Sequence, residues 1–163
     1  MSVEFRPVTT EDEPFLFELY SATRIEELAA WGWDQSQWEP FLRMQFAAQQ
    51  QHYRTKFPDA DHLILVLDQQ PIGRTVVSRR VQEVRLVDIA LLPEHRNAGI
   101  GTRFLEDLQA EAKNAGTPVC LQVLKSSPAV RLYERLGFSI TGDSGLHYQM
   151  EWISSGICVE RKR

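Results

Sequence analysis

What this chain has little of narrows its class first. Its 163 residues include two cysteines, Cys120 and Cys158, with no Cys-x-x-Cys spacing. Cys120 sits in the apolar stretch Pro118-Val119-Cys120-Leu121-Gln122-Val123-Leu124, so it reads as an inert strand cysteine rather than a nucleophile. The four histidines, His52, His62, His95 and His147, are scattered. No Glu-x-x-His or His-x-x-x-His pair joins them, so no metal site is expected. No window approaches the roughly 18 apolar residues of a membrane span, and the start, Met1-Ser2-Val3-Glu4-Phe5-Arg6, lacks the basic and apolar segments of a signal peptide. The expectation is a cytoplasmic protein that does not enter membranes.

What is there describes an ordinary soluble domain. Apolar residues make up 43% and charged residues 25% of the chain, enough to bury a core unaided. One domain is expected over residues 1–163, with a core from 3 to 152 and a tail from 153 to 163. The net charge of −4 is unevenly spread. Residues 1–61 carry eleven acids against five bases, and residues 74–103 carry six arginines against three acids. An acidic front half argues against nucleic acid as a partner.

The arginine-rich part contains the most informative segment, D-I-A-L-L-P-E-H-R-N-A-G-I-G-T from Asp88 to Thr102. A β-rich apolar run is stopped by Pro93, and Arg96-Asn97-Ala98-Gly99-Ile100-Gly101 then opens a helix. Glycines let a backbone approach a ligand closely. The first N–H groups of a helix have no partner within it and carry the positive end of the helix dipole, so a diphosphate is the natural guest. A Walker loop would need a lysine after Gly101, where Thr102 and Arg103 stand. A dinucleotide fold would want Gly-x-Gly-x-x-Gly near the start of the sheet.

Periodicity supplies the scaffold. Val3 to Val8 alternates as a strand, and Thr10-Glu11-Asp12-Glu13 reads as a capping box opening a helix that buries Phe15, Leu16, Leu19 and Tyr20. A second helix is expected over residues 35–53, after an aromatic loop from Ala29 to Asp34. Strands follow at 62–67, 72–79 and 84–92, the first two joined by an Asp68-Gln69-Gln70-Pro71 turn. The helix after Gly99 places Ile100, Phe104, Leu105, Leu108 and Ala112 on one face and stops at Asn114-Ala115-Gly116. Residues 118–124 form a buried strand. Ser127-Pro128 starts a short helix through Leu136, and segments 137–140 and 146–152 close the sheet. The order β-α-α-β-β-β-α-β-α-β-β implies an α/β (α+β) fold, with a mixed, mostly antiparallel sheet of six to seven strands and helices on both faces.

Two motifs now carry a specific resemblance. Arg96-x-x-Gly99-x-Gly101 after a strand ending in proline is followed, some 30 residues on, by Ser127-Pro128-Ala129-Val130-Arg131-Leu132-Tyr133-Glu134-Arg135-Leu136-Gly137-Phe138. Across residues 3–152 the chain resembles the GNAT family, the acetyl-coenzyme A dependent N-acetyltransferases. The resemblance implies a V-shaped split between strands 4 and 5 in which pantetheine pairs as a pseudo-strand. It assigns the main chain of Ile89, Ala90 and Leu91 to the pantetheine amides and the thioester carbonyl. The diphosphate falls to the N–H groups of Asn97, Ala98, Gly99, Ile100, Gly101 and Thr102, with Arg96 adding charge and Ser127 at the next helix start.

Tyr133 is the implied general acid, because the coenzyme A thiolate that leaves must be protonated, and a phenol with a reference pKa of about 10 can supply the proton. Three departures mark the acceptor side. Ser126 and Ser127 stand where many relatives have asparagine. Gln122 stands where enzymes acetylating ribosomal-protein N-termini tend to have a glutamate base. Arg85 and Val87 occupy the positions of other relatives' bases, leaving Asp88 and Glu83 as the nearest carboxylates, with Asp88 the candidate base. Glu26, Trp31 and Trp33, between the first two helices, form the expected acceptor-binding set, suited to a cationic amine. The implied activity is acetyl transfer to a primary amine by direct attack in a ternary complex. A non-catalytic acetyl-CoA-binding module is the alternative. The tail from Ser154 to Arg163 either frays or adds a strand to a homodimer.

Overall fold

The computed structural model describes residues 2–22 and 24–155. The side chain of Glu26 and the tail beyond residue 155, with Cys158, lie outside the described residues. Seven strands form one sheet in the order β1-β2-β3-β4-β5-β7-β6. Their ranges are β1 Glu4–Pro7, β2 Asp61–Leu67, β3 Gln70–Arg79, β4 Val84–Leu91, β5 Val119–Leu124, β6 Ser139–Asp143 and β7 His147–Trp152. The helices are α1 Glu13–Ser21, α2 Arg24–Ala30, α3 Gln35–Lys56, α4 Ile100–Ala115 and α5 Ala129–Arg135. The chain forms two compact units, Met1–Val76 with Asp88–Ala98, and Val77–Val87 with Gly99–Arg163.

In the first unit β1 runs antiparallel to β2, from Glu4 opposite Val66 to Pro7 opposite Leu63. The β2–β3 connection has two residues, Asp68 and Gln69, with φ of 50° and 65°. Positive φ at both central positions matches the twist of a tight hairpin. The strand therefore restarts at Gln70, and Pro71 lies inside β3 rather than in the turn the sequence implied.

The helical part of this unit corrects three expectations. The capping box lies one residue earlier than expected and opens a 3-10 turn, Thr10–Asp12, ahead of α1: the Asp12 carboxylate accepts from the Thr9 N–H at 2.7 Å. Leu16, Phe17 and Leu19 are buried, whereas Phe15 and Tyr20 are only partly so. Residues 24–30, to which the sequence pattern assigns no element and whose last two it places in the aromatic loop, form α2. Its Leu28 joins a core cluster with Leu16, Phe17, Leu42, Phe46 and Ile64. The helix α3 is capped by Asp34, which accepts from Gln37 N at 3.2 Å while Gln37 Oε1 accepts from Asp34 N at 3.0 Å. This reciprocal pair satisfies two N–H groups at the helix start and makes residue 35 the first helical residue.

Asp12 also receives a fork from Arg6, Nη1 at 2.9 Å and Nη2 at 2.7 Å. That bond holds the Asp12 carboxyl down to about 2. A carboxylate whose pKa is depressed by folding stabilises above its unfolded value, near 3.9, and the gain is lost as pH falls toward its folded value. Arg6 is 43% exposed, so solvent screening reduces the gain to about 1–2 kcal/mol. Asp12→Asn is expected to lower unfolding stability by that amount at pH 7 and by almost nothing near pH 2, measured by urea denaturation at both pH values.

In the second unit α4 buries Leu105, Leu108, Gln109 and Ala112. It ends where Gly116, at φ 72°, donates to Ala112, as a left-handed helix terminus requires. The β5 strand pairs antiparallel with β7 along its whole length, from Val119 opposite Trp152 to Leu124 opposite His147. The β6 strand pairs with β7 through a bulge between Ile140 and Gly142. The β6 strand lies later than the expected 137–140, whereas β7 falls within the expected 146–152. Among the described residues, no helix is long and apolar enough to cross a membrane.

Candidate active site

The parallel β4–β5 ladder is short. It runs from Val84 opposite Val119 to Leu86 opposite Leu121 and stops, although β4 continues to Leu91 and β5 to Leu124. The burial pattern changes at the same place. Val84 and Leu86 are buried on the usual alternation, whereas Val87 to Leu91 are all half-buried. A strand that leaves its neighbour loses the two-sided environment that produces alternation.

Gly73 lets β3 approach this stretch of β4. A Cβ there would meet the Ala90 carbonyl and come within 2.7 Å of Leu91 Cδ2. Leu92 N donates to Ile72 O at 2.8 Å. The Leu91 carbonyl accepts from Arg96 Nε at 3.0 Å, so the Arg96 side chain lies back toward β4.

Past Arg96 the chain turns sharply. Asn97 takes φ 59° and Gly99 φ 84°, left-handed conformations that asparagine and glycine adopt most readily. The first helical bond of α4 runs from Arg103 N to Gly99 O at 3.0 Å. The N–H groups of Ile100, Gly101 and Thr102 therefore precede any intrahelical acceptor. A Cβ on Gly99 or Gly101 would meet no protein atom within 4 Å. Open space above a helix start free of large side chains fits a diphosphate.

Tyr133 lies on α5 and is buried, its ring 5.6 Å from that of Phe138. Phe138 N donates to Tyr133 O at 3.0 Å, which folds the chain after α5 back against that turn. Ser127 Oγ accepts from Ala129 N at 3.2 Å, but α5 starts at Ala129 with Pro128 as its N-cap, one residue later than the Ser127-Pro128 start the sequence implied. Cys120 is half-buried, and burial, with the nearby Glu83 and Glu151 carboxylates, pushes its thiol up to about 12. A thiol held protonated is not a nucleophile.

Asp88, Ala90 and Arg96 are brought together in a pocket of about 110 Å³, with Arg24 and Arg74. Arg74 Nε stands 3.4 Å from Asp88 Oδ2, and Arg74 Nη1 donates to Gln50 Oε1 at 3.0 Å. Tyr53 also acts on Asp88, favouring its charged form. Burial raises the Asp88 carboxyl above its ordinary value, against the opposing effect of Arg74, Arg24, the Ile89 N–H and Tyr53. A carboxylate held partly uphill is a better proton acceptor than one at its ordinary pKa.

Arg74, Tyr53 and Arg24 escaped the sequence reading. The available signal was an arginine inside the apolar strand Ile72-Gly73-Arg74-Thr75-Val76-Val77, since a charge there must find partners. The tryptophans separate. Trp33 packs on Phe41 at 5.4 Å against the core cluster, and Trp31 is 71% exposed. Trp38, with Glu18, Glu39 and Glu94, lines a wider groove of about 480 Å³.

A mixed seven-stranded sheet whose one parallel ladder stops short, followed by a helix opening on Gly-Ile-Gly, defines an acyl-CoA N-acyltransferase fold. Solved structures share it. A PaiA N-acetyltransferase from Thermoplasma acidophilum in complex with coenzyme A aligns with a TM-score of 0.69 at 21% identity, covering 94% of this chain and 100% of that one. An Elizabethkingia anophelis GNAT acetyltransferase with acetyl-CoA bound aligns at 0.58 and 16%, covering 93% and 98%. A family profile described as an acetyltransferase (GNAT) domain matches residues 58–140, and the chain belongs to that family. A 79-residue stretch is 33% identical to a ribosomal-protein alanine N-acetyltransferase of Haemophilus influenzae, covering 48% of this chain and 54% of that one. The chain spans about half the length of that curated relative.

Proposed function

We propose that this protein transfers the acetyl group of acetyl-CoA to a primary amine by direct attack in a ternary complex. The single observation that carries this reading is Gly101. It stands in the first turn of α4, its φ is not among the positive ones, and a Cβ there would touch nothing. Neither backbone geometry nor packing asks for glycine, and glycine in a helix is less favourable than alanine by about 1 kcal/mol. A ligand lying against the helix start accounts for it. Bound there, acetyl-CoA supplies the activated acyl group.

The chain's own residues then have separate tasks. The N–H groups at the start of α4 hold the diphosphate. The main chain of Ile89, Ala90 and Leu91 aligns the pantetheine and polarises the thioester carbonyl, with the Leu91 carbonyl also engaged by Arg96. Asp88 accepts the proton released by the attacking amine, and Tyr133 donates one to the departing thiolate. With Cys120 protonated, the acyl group passes straight to the amine rather than through a thioester on the chain. The protein is read as working in the aqueous compartment that holds acetyl-CoA, a reading the neighbours with bound coenzyme A or acetyl-CoA support. The whole chain is read as one domain, with the homodimer a matter for its tail.

Thiol release from acetyl-CoA over a panel of amines tests the reading. Activity is expected to fall as pH drops through the raised pKa of Asp88, because the protonated acid cannot accept a proton. Asp88→Asn should lose that limb and at least tenfold in kcat. Tight acetyl-CoA binding with no thiol release from any amine would instead identify a non-catalytic binding module.

A further inference from the structure

The Arg74 guanidinium is buried, 4% exposed, and its three nitrogens are unequally used. Nε faces Asp88 and Nη1 donates to Gln50. Nη2 has no hydrogen-bond partner among the described residues. A buried guanidinium nitrogen without an acceptor is uncommon, because the desolvated donor has nothing to replace water. Among the described residues, the pocket it lines holds three guanidinium side chains, Arg24, Arg74 and Arg96, against one carboxylate, Asp88.

The other two arginines are held by neutral groups. Arg24 Nη1 donates to the Tyr20 carbonyl at 2.7 Å while its guanidinium lies 3.9 Å over the Tyr20 ring, and Arg96 donates to the Leu91 carbonyl. Among the described residues the pocket therefore has an excess of positive charge, and one buried guanidinium nitrogen of its lining has no acceptor. Its volume of about 110 Å³ suits a group of a few heavy atoms. A planar carboxylate matches the guanidinium fork better than any neutral group of that size.

We propose that the acceptor is a small amino acid, whose carboxylate is bound by Arg74 Nη2 with Arg24 while its amine faces Asp88. The inference rests on the acetyltransferase reading and names its substrate class. It replaces the cationic amine that Glu26, Trp31 and Trp33 implied. One carboxylate and one amine on neighbouring carbons satisfy the orphaned donor and the lone acceptor of the same pocket. A polyamine satisfies only the acceptor and adds charge to three arginines.

The test compares the common free amino acids, their carboxamides, the matching amines without a carboxylate, and spermidine, each with acetyl-CoA. Thermal shift measures amino-acid binding in parallel. The expected result is a preference of at least tenfold in kcat/KM for one or more free acids over their amides. In Arg74→Gln that preference should collapse, with the KM of the free acids rising to that of their amides. Arg24→Gln, at a less buried position, should weaken the same preference if Arg74→Gln does not fold. Amides or spermidine acetylated as well as the acids would overturn the amino-acid inference while leaving the transferase reading intact. Arginine-dependent binding of a free acid with no thiol release would support the pocket assignment and overturn the transferase reading. Neither binding nor transfer of any free acid overturns the inference.

Discussion

Tyr133→Phe is expected to lower thiol release from acetyl-CoA about a hundredfold, with the affinity for acetyl-CoA nearly unchanged. The reason is the timing of charge. The thiolate exists only as the carbon–sulfur bond breaks, so a group that protonates it acts on the transition state and not on the bound ground state. The loss therefore belongs in kcat. Phenylalanine keeps the ring that stands 5.6 Å from Phe138, so the melting temperature should move by only a few degrees, the effect of about 1 kcal/mol. An undiminished rate would remove Tyr133 from the chemistry. A fall in rate matched by a large fall in melting temperature would show that its contribution is packing in the β5–α5 region.

Gly101→Asp is expected to act with opposite signs on the free and the liganded protein. A Cβ at this position meets no atom within 4 Å, so the free protein accommodates the new side chain without strain. Removing a helix glycine and placing an acid in the first turn of α4 both favour the helix, the first by restricting the unfolded chain and the second through the helix dipole. Thermal stability without ligand should hold or rise. The same carboxylate would stand where the diphosphate binds and repel it, so acetyl-CoA affinity should fall about a hundredfold, on the order of 3 kcal/mol. Gly101→Ala separates bulk from charge and should show the stabilisation with a smaller loss of affinity. Thermal unfolding with and without acetyl-CoA, together with equilibrium dialysis, reads both effects. Unchanged affinity in the aspartate variant would move the diphosphate away from α4.

The legible and illegible parts of the molecule divide along a physical line. Helix α4 could be read because its apolar spacing, its opening glycines and Gly116 are consecutive features of one segment. The position of Tyr133 on α5 was legible for the same reason. Helix α2 was missed because seven residues give barely two turns of periodicity, and its Leu28 counts as core only once α1 and α3 surround it. Phe15 and Phe17 could not be ranked from periodicity either. Which of them is buried depends on the T-shaped contact of Phe17 with Phe46, 5.8 Å away on another helix.

The sequence by itself determined the order of most elements, the side-chain-poor turn from Asn97 to Gly101 and the family that turn and Tyr133 define. These are local properties, set by backbone conformation and by spacing along one strand or helix. Only the tertiary structure decided what surrounds Asp88. Tertiary packing sets Arg74 and Tyr53 near it and brings Gln50 from α3 onto Arg74, and no local rule specifies which distant residues share a face. Burial then turned an arginine in an apolar strand into a charge with a donor to spare. Local pattern thus led to the proposed cradle for the acyl donor, and long-range packing built the pocket proposed to choose the acceptor.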